Sequence, residues 1–222
     1  MNDIKKTLMA ALFGSVVCSS SAHAVTLPPP AYDETPAKAG QPAAPQTIVV
    51  AGGCFWGIQA VFQHMKGVTK AISGYAGGKA DEAHYNIVGS GATGHAESVQ
   101  VTYDPSQTSL GKILMVYFAV AHDPTELNRQ GPDHGTQYRS TIFYASPEQK
   151  KIAADYIAQL DEGKHFSVPI VTTLEPLQTF YPAEDYHQDY ARLHPDSPYI
   201  IVNDAPKVRA FASTYPDLYT QP

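Results

Sequence analysis

Between Thr47 and Tyr144 the apolar residues switch repeatedly between two periods, and few architectures accept that alternation. Thr47 to Ala51 is a short β-branched run closed by Gly52-Gly53, which predicts a strand. Ile58, Val61, Phe62 and Met65 follow at helical spacing. Val68 to Tyr75, closed by Gly77-Gly78, predicts a second strand. Val99, Val101 and Tyr103 alternate along a third, over Ser98 to Tyr103, and Asp104-Pro105 turns the chain. Leu110, Ile113, Leu114, Tyr117, Phe118 and Ala121 mark one face of a helix capped near Thr108 or Ser109. Tyr138 to Tyr144 alternates again.

The order is β-α-β-β-α-β. It predicts an α+β fold, a two-layer sandwich with a ferredoxin-like split βαβ core: an antiparallel-rich sheet with helices on one face. Beyond it, Ser146-Pro147-Glu148-Gln149 reads as a capping box with proline at the first helical position. An additional helix through Ile152, Tyr156, Ile157 and Leu160 is expected there, then a last strand over Val168 to Leu174. Asp185 to Leu193 reads as a short helix.

The two ends read differently. Lys5 and Lys6 precede a ten-residue apolar run, Leu8 to Val17, and Ala22-His23-Ala24 offers a small-x-small cleavage site. Residues 1–24 are therefore expected to be a signal peptide, with the mature chain exported, periplasmic or secreted, and without stable membrane insertion after cleavage. Residues 25–46 hold six prolines and read as an extended tether. Residues 47–204 are the expected domain, and 205–222 a C-terminal tail that packs over the site or trails loose.

Composition narrows the function. With 15 Lys+Arg against 21 Asp+Glu and no long basic run, nucleic acid is not an expected partner. The chain has two cysteines, Cys18 and Cys54, and the first leaves with the signal. One thiol makes neither a disulfide framework nor a cysteine-based zinc site, and the histidines show no metal spacing, so no metal is expected. Gly89 to Gly94 matches G-x-G-x-x-G, but a strand follows it where a dinucleotide site needs a helix. No G-x-S-x-G elbow is present.

The sharp signal is Gly53-Cys54-Phe55-Trp56-Gly57, where a strand hands over to a helix. A cysteine at a helix N-terminus meets free N–H groups and the positive end of the dipole, which stabilise a thiolate. Read from the residues alone, Cys54 is either reactive or a buried core thiol beside a hydrophobic anchor. A reactive Cys54 fits a cysteine hydrolase with His95, His122 or His134 as base. A buried one fits a peptide-binding module with a tyrosine-rich groove.

The surrounding motifs resemble those of the A-type peptide methionine sulfoxide reductases. Besides Gly53 to Gly57 these are Ser73-Gly74-Tyr75-Ala76-Gly77-Gly78, Thr93-Gly94-His95-Ala96-Glu97 and His122-Asp123-Pro124-Thr125. Then come Asp133-His134-Gly135-Thr136-Gln137-Tyr138-Arg139-Ser140 and the block Phe180 to Gln188. They stand in family order over roughly residues 47–195.

The resemblance implies reduction of the S epimer of free and protein-bound methionine sulfoxide, and so repair of oxidised proteins. It implies Cys54 as the nucleophile at sulfur and Glu97 as the acid for the oxygen. Tyr85 and Tyr138 would hydrogen-bond the oxygen, Asp133 would help hold the site, and Phe55 and Trp56 would wall the methyl group. No cofactor is implied. Cys54 would end as a sulfenic acid. Many relatives resolve it with further cysteines in the tail, but this tail has none, and Gly89 stands where relatives often carry one. A one-cysteine, monomeric enzyme is expected, resolved by an external thiol: a thioredoxin- or glutaredoxin-like protein, glutathione, or dithiothreitol in the test tube.

Overall fold

The alternating order is realised in the computed structural model, which describes residues 24–35 and 43–222. The expected signal peptide lies outside the described residues, Ala24 apart. Strand β1 (Gln46–Ala51) leads into helix α1 (Phe55–Gln63). β2 (Val68–Ala76), the short helix α2 (Tyr85–Val88) and β3 (Ala96–Tyr103) follow. Helix α3 (Leu110–Val116) runs on through a π-helical turn over Tyr117–Ala121. A two-strand ladder, β4 (Arg129–Gln130) with β5 (Asp133–His134), precedes β6 (Thr141–Tyr144). The chain then forms α4 (Pro147–Glu162), β7 (Thr173–Pro176), β8 (Phe180–Pro182), α5 (Tyr190–Leu193) and α6 (Ala205–Thr214).

The main sheet has the order β7-β6-β1-β3-β2-β8. Its inner four strands, β6-β1-β3-β2, are all antiparallel and carry the split βαβ topology. β7 adds parallel to β6 at one edge, and β8 antiparallel to β2 at the other. Period-two alternation sorts the side chains. Ile48, Val50, Val99, Val101 and Tyr103 join Ile58, Val61, Phe62, Ile113, Phe118, Ile152, Tyr156 and Leu160 in the main core. Val49, Ala51, Ala76, Ala96 and Phe143 form a smaller cluster of their own. Each large apolar side chain so buried contributes about 1.5–3 kcal/mol. Glu97 shares its register with the row of Val99, Val101 and Tyr103, so it stands on the main-core face.

The caps behave as their residues dictate. Ser109 Oγ accepts from the Lys112 N–H at the start of α3, and Ser146 Oγ from the Gln149 N–H at the start of α4. The reciprocal half of the α4 box goes one residue early: Gln149 Oε1 accepts from the Ala145 N–H.

Four expectations need correction. The strand expected over Tyr138 to Tyr144 begins at Thr141, because Thr136–Tyr138 coils into a 3₁₀ turn. The strand expected over Val168 to Leu174 starts at Thr173; Val168 is exposed, and β8 follows as a further strand. The helix expected over Asp185 to Leu193 is broken at Asp189, which is left-handed (φ 56°), a conformation aspartate tolerates. Residues 25–35 of the expected tether are fastened along the domain. Leu27 is buried and its N–H donates to Tyr215 Oη, Pro28 O accepts from Tyr156 Oη, and Gln159 bonds Pro29 and Ala31. Proline leaves carbonyls without amide partners along such a strap, and side chains of the domain take them up. The C-terminal tail does not trail loose: it forms α6, packed on α1 with Phe211 in the core.

Candidate active site

Cys54 occupies the N-cap position of α1 and is 9% exposed. Gly53 delivers it there with φ +100°, and a Cβ at Gly53 would stand 2.6 Å from Gln130 Cγ in β4. Positive φ and close packing both require glycine. On β3, Glu97 is 2% exposed, and its Oε2 accepts from the Phe55 N–H at 3.2 Å. Burial pushes the Glu97 carboxyl up to about 8, the Phe55 N–H opposing and the nearby Asp133 and Asp204 adding to the rise. Glu97 is therefore a protonated acid at neutral pH.

The sequence places Cys54 where a helix N-terminus favours the thiolate. The structure shows the opposite balance at rest. Burial, then Glu97 and Asp204, push the thiol well above its ordinary range, against the Trp56 N–H and Lys207. A buried thiol at one helix end gains too little from the dipole to offset lost hydration.

Tyr85 and Tyr138 complete the polar side. Both are pushed up chiefly by burial, then by Glu97, with Cys54 and Asp133 among the neighbouring charges, so the four groups share one site with the thiol. Tyr85 opens α2, where its N–H donates to Glu184 Oε1; Glu184 Oε2 accepts from Tyr75 Oη, and Tyr75 pairs with Glu97 in the sheet register. Tyr138 ends the 3₁₀ turn, which Arg139 pins by donating to Thr136 O, Gly94 O and Glu175. Asp133 stands on β5 and accepts from Tyr199 Oη. Burial raises its carboxyl, opposed by that hydroxyl and by Lys207.

The two aromatic walls differ. Phe55 is fully buried, with its ring 5.1 Å from His187 and 5.9 Å from Tyr75, so it backs the site from within the core. Trp56 is the partly exposed wall. Its ring stacks on Tyr190 at 3.8 Å, meets the edge of Tyr199 at 5.8 Å, and donates Nε1–H to His187 Nδ1 at 3.2 Å.

Motif reading assigned no role to Tyr199, Tyr190, His187, Glu184 or Gln188. Gln188 is a clamp: its Oε1 accepts from Ser73 N and Gln59 Nε2, while its Nε2 donates to Ser73 O and Ala183 O. It ties the segment after β8 to β2 and α1. The block Phe180 to Gln188 is the signal that pointed to this segment; for Tyr190 and Tyr199 no local pattern exists.

The hydrolase alternative loses its base. The His95 ring is held by the Gly78 N–H and Lys79 O, and the His122 ring lies between Tyr117 O and Ser140 Oγ. Burial pushes His122 down to about 4, and His134 is exposed on β5. None of these three hydrogen-bonds Cys54 among the described residues. Among those residues no group of three His, Cys, Asp or Glu is arranged to hold a metal.

Comparison with known proteins agrees with this geometry. The sequence profile of the family described as "Peptide methionine sulfoxide reductase" matches residues 46–218. The chain is 60% identical over 176 residues to peptide methionine sulfoxide reductase MsrA 2 of Mesorhizobium japonicum, covering 79% of this chain and 90% of that protein. It is 47% identical over 185 residues to peptide methionine sulfoxide reductase MsrA of Deinococcus radiodurans, covering 83% and 89%. Among solved structures it is similar to reduced Mxr1 from Saccharomyces cerevisiae, with TM-score 0.62, 34% identity, and 71% and 90% of the two chains covered. It is also similar to methionine sulfoxide reductase A of Corynebacterium diphtheriae, with TM-score 0.58, 37% identity, and 70% and 77% covered.

Proposed function

The chain belongs to the peptide methionine sulfoxide reductase family, of the A type, and we propose from that premise that Cys54 and Glu97 carry its reaction on the S epimer. The enzyme reduces methionine sulfoxide, free or in proteins, and so repairs oxidised polypeptides. The observation that carries the assignment is a buried carboxyl, Glu97, that accepts from the first N–H of the helix that Cys54 starts.

At neutral pH both groups hold a proton, and the chemistry needs both. The sulfoxide oxygen takes the Glu97 proton while the Glu97 carboxylate so formed accepts the proton of Cys54. The thiolate attacks sulfur, an S–S bond forms transiently, and the S–O bond passes from methionine to Cys54. Methionine leaves, and Cys54 is a sulfenic acid. Tyr85 and Tyr138 donate to the oxygen as charge develops on it. Trp56, backed by Phe55, receives the methyl group. With oxygen bound on the tyrosine side and methyl on the indole side, one configuration at sulfur places its electrophilic face toward Cys54.

Resolution then comes from outside the chain. Cys54 is the free cysteine among the described residues. One external thiol attacks the sulfenic sulfur and releases water; a second thiol breaks the mixed disulfide. A thioredoxin- or glutaredoxin-like protein, or glutathione, is the donor class this chemistry requires, and no cofactor enters. The leader at residues 1–24 directs the enzyme out of the cytoplasm, to the periplasm or beyond. Lys5, Lys6, the apolar run and Ala22-His23-Ala24 support that reading. N-terminal sequencing of the exported protein tests it: Val25 first is expected, and an uncleaved Met1 contradicts it.

The activity is tested with separated epimers of a methionine sulfoxide peptide and excess dithiothreitol. Loss of the S epimer alone, abolished by Cys54→Ser, is expected. Turnover of neither epimer by the folded wild-type protein contradicts the assignment.

A further inference from the structure

The segment after α5 sets a charged pair against the first turn of α1 that the mechanism above does not use. Asp204 is fully buried at the start of α6, and the Lys207 side chain is 13% exposed. Asp204 Oδ1 accepts from Lys207 Nζ at 3.4 Å, while Oδ2 has no hydrogen-bond partner among the described residues. Both charged heads lie against Gly57. A methyl group added there would collide with the Asp204 carboxylate and stand 3.0 Å from Lys207 Nζ. Gly57 is the third helical residue of α1, and Cys54 is its N-cap. The Lys207 ammonium is thus held beside the first turn of the helix that Cys54 starts.

We propose that Lys207 is a positioning residue of the reductase: its ammonium, anchored by Asp204, stabilises the Cys54 thiolate as the proton leaves. This rests on the reading of Cys54 as the nucleophile. The groups that face the thiol from each packed element are Glu97 of β3, Tyr85 of α2, Tyr138, Tyr199, and the Asp204–Lys207 pair. Asp133 of β5 borders Lys207 and Tyr199, and His187 borders Phe55 and Trp56. Of these, Lys207 is the lysine, and it borders the carboxyls of Asp204 and Asp133. It lowers the Cys54 thiol while Asp204 raises it, so the two members of one pair act on sulfur with opposite signs.

The test reads the thiol directly. Cys54 is the single cysteine of the chain after Cys18, so the rate of iodoacetamide alkylation against pH, on protein lacking residues 1–24, reports its ionisation. Lys207→Gln keeps a donor for Asp204 without the charge; its midpoint is expected to move up, slowing alkylation at pH 8 several-fold. Lys207→Arg is expected to hold the wild-type midpoint. Asp204→Asn leaves the ammonium and removes the opposing charge, so its midpoint is expected to move down. A wild-type midpoint in a folded Lys207→Gln variant overturns the proposal, as does a shift in the same direction in Lys207→Gln and Asp204→Asn. Lys207→Met, of similar length, carries the same expectation if the Lys207→Gln variant fails to melt cooperatively. Wild-type turnover of the S epimer is measured alongside. Its absence would sink the functional reading, while the alkylation profiles would still report on Lys207.

Discussion

Glu97 must be buried to be an acid at neutral pH, and burial of an ionisable group has a cost in stability. Its carboxyl is raised from 4.5 to about 8 in the folded chain. The folded state therefore binds this proton more tightly than the unfolded one. The associated stability is complete below the unfolded value of 4.5 and is lost as pH rises toward 8. At pH 7 the loss is about 3 kcal/mol. Glu97→Gln is accordingly expected to raise the melting temperature at pH 7 and to change it little at pH 4. The same substitution is expected to lower kcat by roughly 10²–10⁴-fold. For the wild type, kcat/KM is expected to fall as pH rises through about 8, where Glu97 gives up its proton. A wild-type descending limb that survives in Glu97→Gln would assign that titration to another group.

At this scale the sequence is legible where motif and chain position coincide. Cys54, Glu97, Tyr85, Asp133 and Tyr138 all converge on one site. The direction of the Cys54 shift was not legible, because local position names the helix end and burial is set by the tertiary structure. Tyr199, Asp204 and Lys207 were illegible for the same reason: they reach the site only through the packing of α6 and the segment before it on α1.

Among the elements, the strap of residues 24–35 makes the most testable claim. Asp33 caps α3 from outside the helix: Oδ1 accepts from the Gly111 N–H at 2.8 Å and Oδ2 from Ser109 Oγ at 2.6 Å. Glu34 Oε1 accepts from the Leu110 N–H at 2.9 Å, and Oε2 from Tyr103 Oη at 3.0 Å. Two carboxylates at one helix start satisfy amides that the helix itself leaves free. Asp33→Ala is expected to destabilise by about 1–2 kcal/mol in urea unfolding, with kcat on the S epimer retained. An unchanged midpoint would mean that the strap adds nothing to the fold. Composition hid this element. Six prolines in 25–46 read as a linker, since no apolar period marks a segment fastened by one buried leucine, Leu27, and by its carbonyls and carboxylates. The strands and helices of the core were legible because period-two and helical rows reappear as its two clusters, with Val50 in one and Val49 in the other. The edge strands β7 and β8 carry too few buried residues to show a period.

Taken whole, the molecule joins the reductase fold to a chain whose two cysteines are Cys18, in the expected leader, and Cys54. Whatever resolves Cys54 must come to it, so turnover is expected to depend on external thiol concentration and to stop after the first half-reaction without it. No second cysteine follows Cys54 to store the oxidation as an internal disulfide. The most direct measurement is a single-turnover reaction: reduced enzyme lacking residues 1–24 with excess S epimer and no thiol. Methionine is quantified, and the enzyme is trapped with dimedone. Methionine equal to the enzyme present is expected, with the adduct on Cys54. Methionine formed without any adduct on Cys54, or continued formation beyond the enzyme present, would contradict it.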